Sequence, residues 1–118
     1  MWGWTACDGK EGYLGYRSVF DGTVAPSAVA ASIVLIPEQD IPMLEHMHEE
    51  YGDRIWREYG FTNSFNPSQN WYDEDYIWID QGNMALMLEA FRSGSVWDEF
   101  MRVPYIIAGL DKARFTQD

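Results

Sequence analysis

The sequence is poor in cysteine, in positive charge and in long apolar runs. Cys7 is its single cysteine. That excludes a disulfide within the chain and any zinc site built on cysteines. Eight Lys and Arg stand against nineteen Asp and Glu, a formal net charge of −11. Phosphate backbones and anionic lipid are poor partners for such a chain, which has few cations to displace their counterions. No nucleic-acid partner is expected. The longest apolar run, Ala28–Ile36, is too short to span a bilayer, so no membrane insertion is expected either. No basic stretch leading into an apolar core stands at the N-terminus, and no secretion signal is visible. The two histidines, His46 and His48, are two positions apart and would point different ways on a helix. Neither a metal site nor a cofactor is expected, and no Ser-His-Asp or Cys-His arrangement has motif support.

What is present suits a packed domain. Of 118 residues, 47% are apolar and 16% aromatic, enough for a core and too many for disorder. Five of the ten glycines, Gly3, Gly9, Gly12, Gly15 and Gly22, fall in the first 24 residues. Trp2, Trp4, Tyr13, Tyr16 and Phe20 are interleaved with them, a pattern that predicts a long aromatic loop. Asp8-Gly9 and Asp21-Gly22 read as turn pairs. A helix is predicted from about Ala25, with Pro26 in its first turn and Ser27–Leu35 as its apolar stretch, ended by Pro37; a second runs from an Asp40 cap to about Tyr51, where Gly52 stops it. A short helical piece over Arg54–Glu58 follows. Residues 60–80 read as a second aromatic loop, with Asn63, Asn66, Pro67, Ser68 and Asn70 as turn formers. Three more helices are expected over Gln81–Arg92, Val96–Arg102 and Pro104–Ala113. The reading is all-α, with long loops gathered at one end.

Trp and Tyr faces suit the C–H face of a sugar ring, while carboxylates and amides suit its hydroxyls. The first loop offers Trp2, Trp4 and Asp8. The second offers Asn66, Gln69, Asn70, Trp71, Asp80 and Gln81. Each has a plainer reading beside it. The aromatics could pin loops to helices, and Asp80, at the start of an apolar helix, could be an N-cap. Asp73-Glu74-Asp75 reads as a solvated charge run; it lacks the alternating acid spacing of an EF-hand loop. Cys7 has only Lys10 as a nearby cation and reads as unreactive.

Three runs carry a family resemblance. They are Trp4-Thr5-Ala6-Cys7-Asp8-Gly9 with Gly12-Tyr13; Asp21-Gly22-Thr23-Val24-Ala25-Pro26; and Tyr59-Gly60-Phe61, Phe65-Asn66-Pro67, Asn70-Trp71, Asp75-Tyr76 and Ile79-Asp80-Gln81-Gly82. In this order they resemble the glucoamylase-like conserved domain family, which includes bacterial endo-β-1,2-glucanases and the glucan-processing domain of cyclic β-1,2-glucan synthases. Cys7 departs from the pattern, which usually has a small residue such as serine there.

The resemblance implies an (α/α)6 barrel, of which residues 1–118 would be the C-terminal portion, the N-terminal half being absent. It implies hydrolysis or transfer of a β-linked glucan by two carboxyl groups across the scissile bond. The general acid would lie in the absent half. Asp80 best matches the base, with Asp8 the alternative; Trp4, Asn66, Asn70, Trp71 and Gln81 would bind the glucan. The other expected partner is the remainder of the barrel or, failing that, a second copy of the chain. A periplasmic or cell-envelope location is what the resemblance suggests. The contrasting reading is a non-catalytic carbohydrate-binding or structural remnant, for which the isolated chain would bind sugar without turnover.

Overall fold

A computed structural model describes residues 1–15 and 17–115; Tyr16 and the last three residues lie outside the described set. The element order is β1 (Cys7–Gly9), β2 (Gly12–Leu14), α1 (Pro26–Ser32), α2 (Pro37–Ile55), β3 (Trp56–Arg57), β4 (Gly60–Phe61), β5 (Phe65–Asn66), β6 (Trp71–Tyr72), α3 (Trp78–Ser93), α4 (Ser95–Phe100) and α5 (Pro104–Lys112). Helices dominate, as expected, but the strands form three separate antiparallel ladders, β1–β2, β3–β4 and β5–β6. The all-α reading is corrected to that extent.

The punctuation of the helices follows proline and glycine chemistry. Pro26, Pro37 and Pro104 each occupy a first helical position, where a missing N–H leaves nothing unpaired. Gly94 closes α3 in the left-handed region (φ 74°) and at once starts α4. Several boundaries differ from expectation; α3, for one, starts at Trp78 and not at Gln81, inside the stretch read as loop, and α4 ends at Phe100 and not at Arg102. Helix α1 ends at Ser32, so the stretch up to Leu35 is a turn. Helix α2 starts at Pro37 and passes through Gly52, because Ile55 is wholly buried and anchors its last turn. Arg54–Glu58 is therefore not a separate helix; Trp56–Arg57 are extended and pair with β4. Asp40 is no cap but sits inside the first turn of α2, with no surface exposed and neither carboxylate oxygen partnered.

The two regions read as loops are laced together rather than free. Cys7, Asp8 and Gly9 pair with Leu14, Tyr13 and Gly12, so Asp8 lies in a strand and the turn falls on Lys10-Glu11. Val24 exchanges both backbone hydrogen bonds with Phe65 at 2.9 Å. Gly3 carries φ 126°, and its carbonyl accepts the Ala25 N–H at 2.7 Å. A Cβ at Gly3 would stand 2.7 Å from Val29, so only glycine allows this approach to α1.

The core gathers Val24, Val29, Met47, Ile55, Phe61 and Phe65 between α1, α2 and the second laced region. Tyr72 stacks on Phe65 with centroids 6.2 Å apart, and the Arg54 guanidinium lies 4.6 Å from the centroid of the Tyr72 ring. Asn66 is the polar knot of this region. Its Nδ2 donates to Asp21 O and Thr23 Oγ1, both at 3.1 Å. Its Oδ1 accepts from Ser68 Oγ at 2.6 Å and Gln69 N at 3.2 Å.

Beyond this core, apolar surface is left uncovered. Helices α4 and α5 bury no residue, and Trp97, Phe100, Tyr105 and Ile107 are exposed. Helix α3 buries only Met84 and Ala90 and exposes Leu86, Leu88 and Phe91. The radius of gyration, 16.6 Å, exceeds the roughly 13.5 Å of a compact chain of this length. Among the described residues, no helix is long and apolar enough to cross a membrane.

Candidate active-site cleft

A cleft of about 470 Å³ opens between β1, the segment before β5, and the first turn of α3. It is lined by Thr5, Ala6, Cys7, Asp8, Tyr13, Asn63, Ile77, Ile79, Asp80 and Asn83. Three stretches distant in sequence thus supply two carboxylates, two amides and one exposed aromatic face.

Asp8 is placed by its strand, where it pairs with Tyr13 across the hairpin. Asp80 is placed by α3, whose N-cap is Ile77, so the sequence reading of Asp80 as an N-cap is not what the helix uses. No side-chain cap bond is made at the start of α3, and Asp80 Oδ2 accepts from Asn63 Nδ2 at 2.6 Å. Burial pushes the Asp80 carboxyl above its ordinary value and the Asp8 charge adds to this, while the Asn63 bond acts in the opposite direction. Position in the first turn of a helix also favours a negative charge.

Asn63 is the residue that sequence reading treated only as a turn former. It is 2% exposed. Its Oδ1 accepts the Asp8 N–H at 2.8 Å, and the Ser64 hydroxyl donates to Asp8 O at 2.6 Å. An asparagine in a turn-rich segment carries no sequence mark of this, because its partners lie 55 residues before it and 17 after it. Asn83 and Tyr13 were likewise not singled out as site residues; Asn83 follows Asp80 by three positions, which places both on one helix face.

Cys7 lines the same cleft from beneath. Burial, reinforced by Asp8, Asp80 and Asp21, pushes its thiol to about 11, so near neutrality it carries its proton. Asp73, expected on a solvated face, is instead nearly buried, with Oδ1 accepting from Asp75 N at 3.2 Å and Oδ2 unpartnered; burial raises its carboxyl too.

The remaining candidates lie outside this cleft. Trp4 is half exposed and meets Phe20 edge-on at 6.2 Å. Asn66 is buried with its amide committed on both sides, which leaves it a structural clamp. Asn70 is exposed in the left-handed region at the end of the short 3-10 turn Pro67–Gln69, and Trp71 is half-buried in β6. Gln81 Nε2 donates to Phe61 O at 2.7 Å, and Gln81 faces a neighbouring apolar groove of about 220 Å³ instead. Among the described residues no group of three or more His, Cys, Asp and Glu is placed to hold a metal ion.

Two carboxylates thus line one partly apolar cleft, and several known proteins resemble the chain that builds it. A curated relative, the exo beta-1,2-glucooligosaccharide sophorohydrolase (non-reducing end) of Parabacteroides distasonis, is 30% identical over 114 residues, which is 94% of this chain and 16% of the relative. The endo-beta-1,2-glucanase of Chitinophaga pinensis, solved with sophorotriose and glucose, superposes with a TM-score of 0.90 at 34% identity, over 98% of this chain and 28% of that one. A Bacteroides uniformis structure described as a "putative glucoamylase" gives 0.92 at 39% identity, again over 98% and 28%. The chain therefore spans about a sixth of the curated relative and under a third of each of these solved chains. A family model described in the words "Putative glucoamylase" matches residues 1–104, and the chain belongs to that family.

Proposed function

We propose that these residues form the C-terminal part of an (α/α)6 barrel that cleaves or transfers a β-linked glucan, in which the β-1,2 linkage is the substrate bond. The observation that carries this reading is the meeting in one cleft of Asp8 and Asp80, residues far apart in the sequence. The β-1,2-glucan activities named for the relatives supply the linkage.

In this reading Asp80 is the general base. It takes a proton from water as the water oxygen attacks the anomeric carbon, and the glycosidic oxygen leaves with a proton from a carboxylic acid outside these residues. A carboxyl group raised by burial is a stronger base than one in water, provided it stays ionised. If Asp8 held the base role instead, Asp80 would supply the neighbouring charge. Tyr13 offers a sugar platform in the cleft; Trp4, Asn70, Trp71 and Gln81 would contact glucan only beyond it. The uncovered faces of α3, α4 and α5 are where the rest of the barrel would pack.

A second reading is supported by the small share of the relatives that the chain spans. By itself it would bind glucan without turnover. A reducing-sugar assay of the full-length protein against a panel of β-glucans, set beside calorimetry of the 118-residue chain with β-1,2-glucan oligomers, separates the two. Product from β-1,2-glucan supports the enzyme; binding without product in both proteins supports the remnant.

A further inference from the structure

We infer that Asn63 is the positioning residue of this site: it ties the Asp8 strand to the Asp80 carboxylate and fixes which oxygen of Asp80 faces the substrate. The inference rests on the cleft being catalytic, and it goes beyond that reading by assigning a role to a buried side chain that acts through Asp80.

The geometry gives the amide one orientation. Only an acceptor can face the Asp8 N–H, and only a donor can face an ionised carboxylate. Asn63 meets both demands at once, with Oδ1 2.8 Å from Asp8 N and Nδ2 2.6 Å from Asp80 Oδ2. The Ser64 hydroxyl, 2.6 Å from Asp8 O, lies 3.1 Å from Oδ1 and shares its one proton between the two acceptors. The backbone beneath is equally fixed. Asn63 N donates to Asp75 O at 3.0 Å, Thr62 N to Ile55 O at 2.8 Å, and Asp73 N to Ser64 O at 3.0 Å. A buried amide on so constrained a segment transmits position rather than absorbing it.

Two consequences follow for Asp80. Its Oδ2 is occupied, and no donor among the described residues reaches Oδ1, which is not a buried orphan. Oδ1 is thus the oxygen left for a water or a sugar hydroxyl. The second consequence is electrostatic. Asp8 on β1 is the charged group that bears on Asp80 across the cleft, and the Cys7 thiol beside it is neutral. Burial and Asp8 both favour the protonated acid; the Asn63 donor opposes them, together with the first turn of α3. Asn63 therefore keeps the base ionised at a lower pH than its surroundings would allow.

The test compares Asn63→Asp and Asn63→Ala with the wild type in the full-length protein. Asn63→Ala removes the donor to Asp80 without adding a charge and carries the reading; Asn63→Asp, whose carboxyl can share a proton with Asp80, is the contrast. A base must be ionised, so activity is lost as pH falls through the Asp80 pKa, and removing the donor moves that acidic limb to higher pH. The expected result is a limb displaced upward by about one pH unit or more, kcat lower by about 10²-fold, and KM nearly unchanged, in protein with unaltered circular dichroism. An acidic limb that stays in place in a folded variant overturns the assignment, since a merely structural role would scale the whole profile. If the wild type degrades no β-glucan, the functional reading fails separately. The same variants are then read by 13C titration of aspartate carboxyls, with Asp80→Asn identifying the resonance: an upward shift of Asp80 sustains the role of Asn63, and an unmoved titration removes it.

Discussion

Asp8 and Asp80 face the same cleft, and the charge of Asp8 helps to raise the Asp80 carboxyl that Asn63 holds at 2.6 Å. The hairpin β1–β2 and the first turn of α3 meet only because the chain between them folds into the α1–α2 core. The site is therefore a product of the tertiary fold, and changes remote from the cleft should reach it through the lacing of the two loop regions.

Asp40 should make stability depend on pH. Burial, with Glu38 nearby, raises its carboxyl from the ordinary 3.8. The folded state then holds that proton more tightly than the unfolded one. Its contribution to stability is greatest below the unfolded pKa and is lost as pH rises through the folded pKa. Asp40→Asn should be more stable than wild type at pH 7 by about 1–3 kcal/mol, and by much less at pH 4. Unfolding midpoints of the full-length protein at the two pH values check this. An equal difference at both would show that Asp40 is not an uncompensated buried acid.

Asn66→Ala should loosen the lacing. It removes the buried amide that bridges Asp21 O and Thr23 Oγ1 on one side to Ser68 Oγ and Gln69 N–H on the other. The expected cost is about 2–3 kcal/mol, with amide exchange accelerated around Val24 and Phe65. Hydrogen exchange that speeds up elsewhere but not at that bridge would mean the clamp lies in other residues.

Legibility in the sequence was uneven for physical reasons. Pro26, Pro104 and Gly94 act locally through φ and a missing N–H, and the elements they start or end stand where the sequence puts them. Gly52 misled because a local breaker was outweighed by burial of Ile55 one turn later. Asp40 and Asp80 misled in the same way, each looking like a cap while Ile36 and Ile77 hold the cap positions. The glycine-rich start read as an irregular loop because three-residue strands are too short to show alternation. Asp8 and Asp80 were legible as candidates by chemistry and by resemblance. Asn63 was not, because its importance lies entirely in partners that only the fold brings within reach.

The isolated 118-residue chain should self-associate or aggregate despite its charge of −11. Trp78 is 84% and Tyr105 86% exposed, beside the bare faces of α3, α4 and α5. Soluble monomers seldom leave contiguous apolar patches beyond a few hundred Å² (about 300–600) open to water. Sedimentation at several concentrations, with a dye that reports exposed apolar surface, provides the check. A dye-silent monomer that unfolds cooperatively would contradict the half-barrel account.

The central claim is that the cleft does chemistry and that Asp80 performs it. The most direct measurement is the initial rate of reducing-end release from β-1,2-glucan by the full-length protein and by its Asp80→Asn variant. The account predicts clear turnover by the wild type and a kcat lower by roughly 10²-fold or more in the variant, with the fold intact. Equal rates in the two proteins would contradict it.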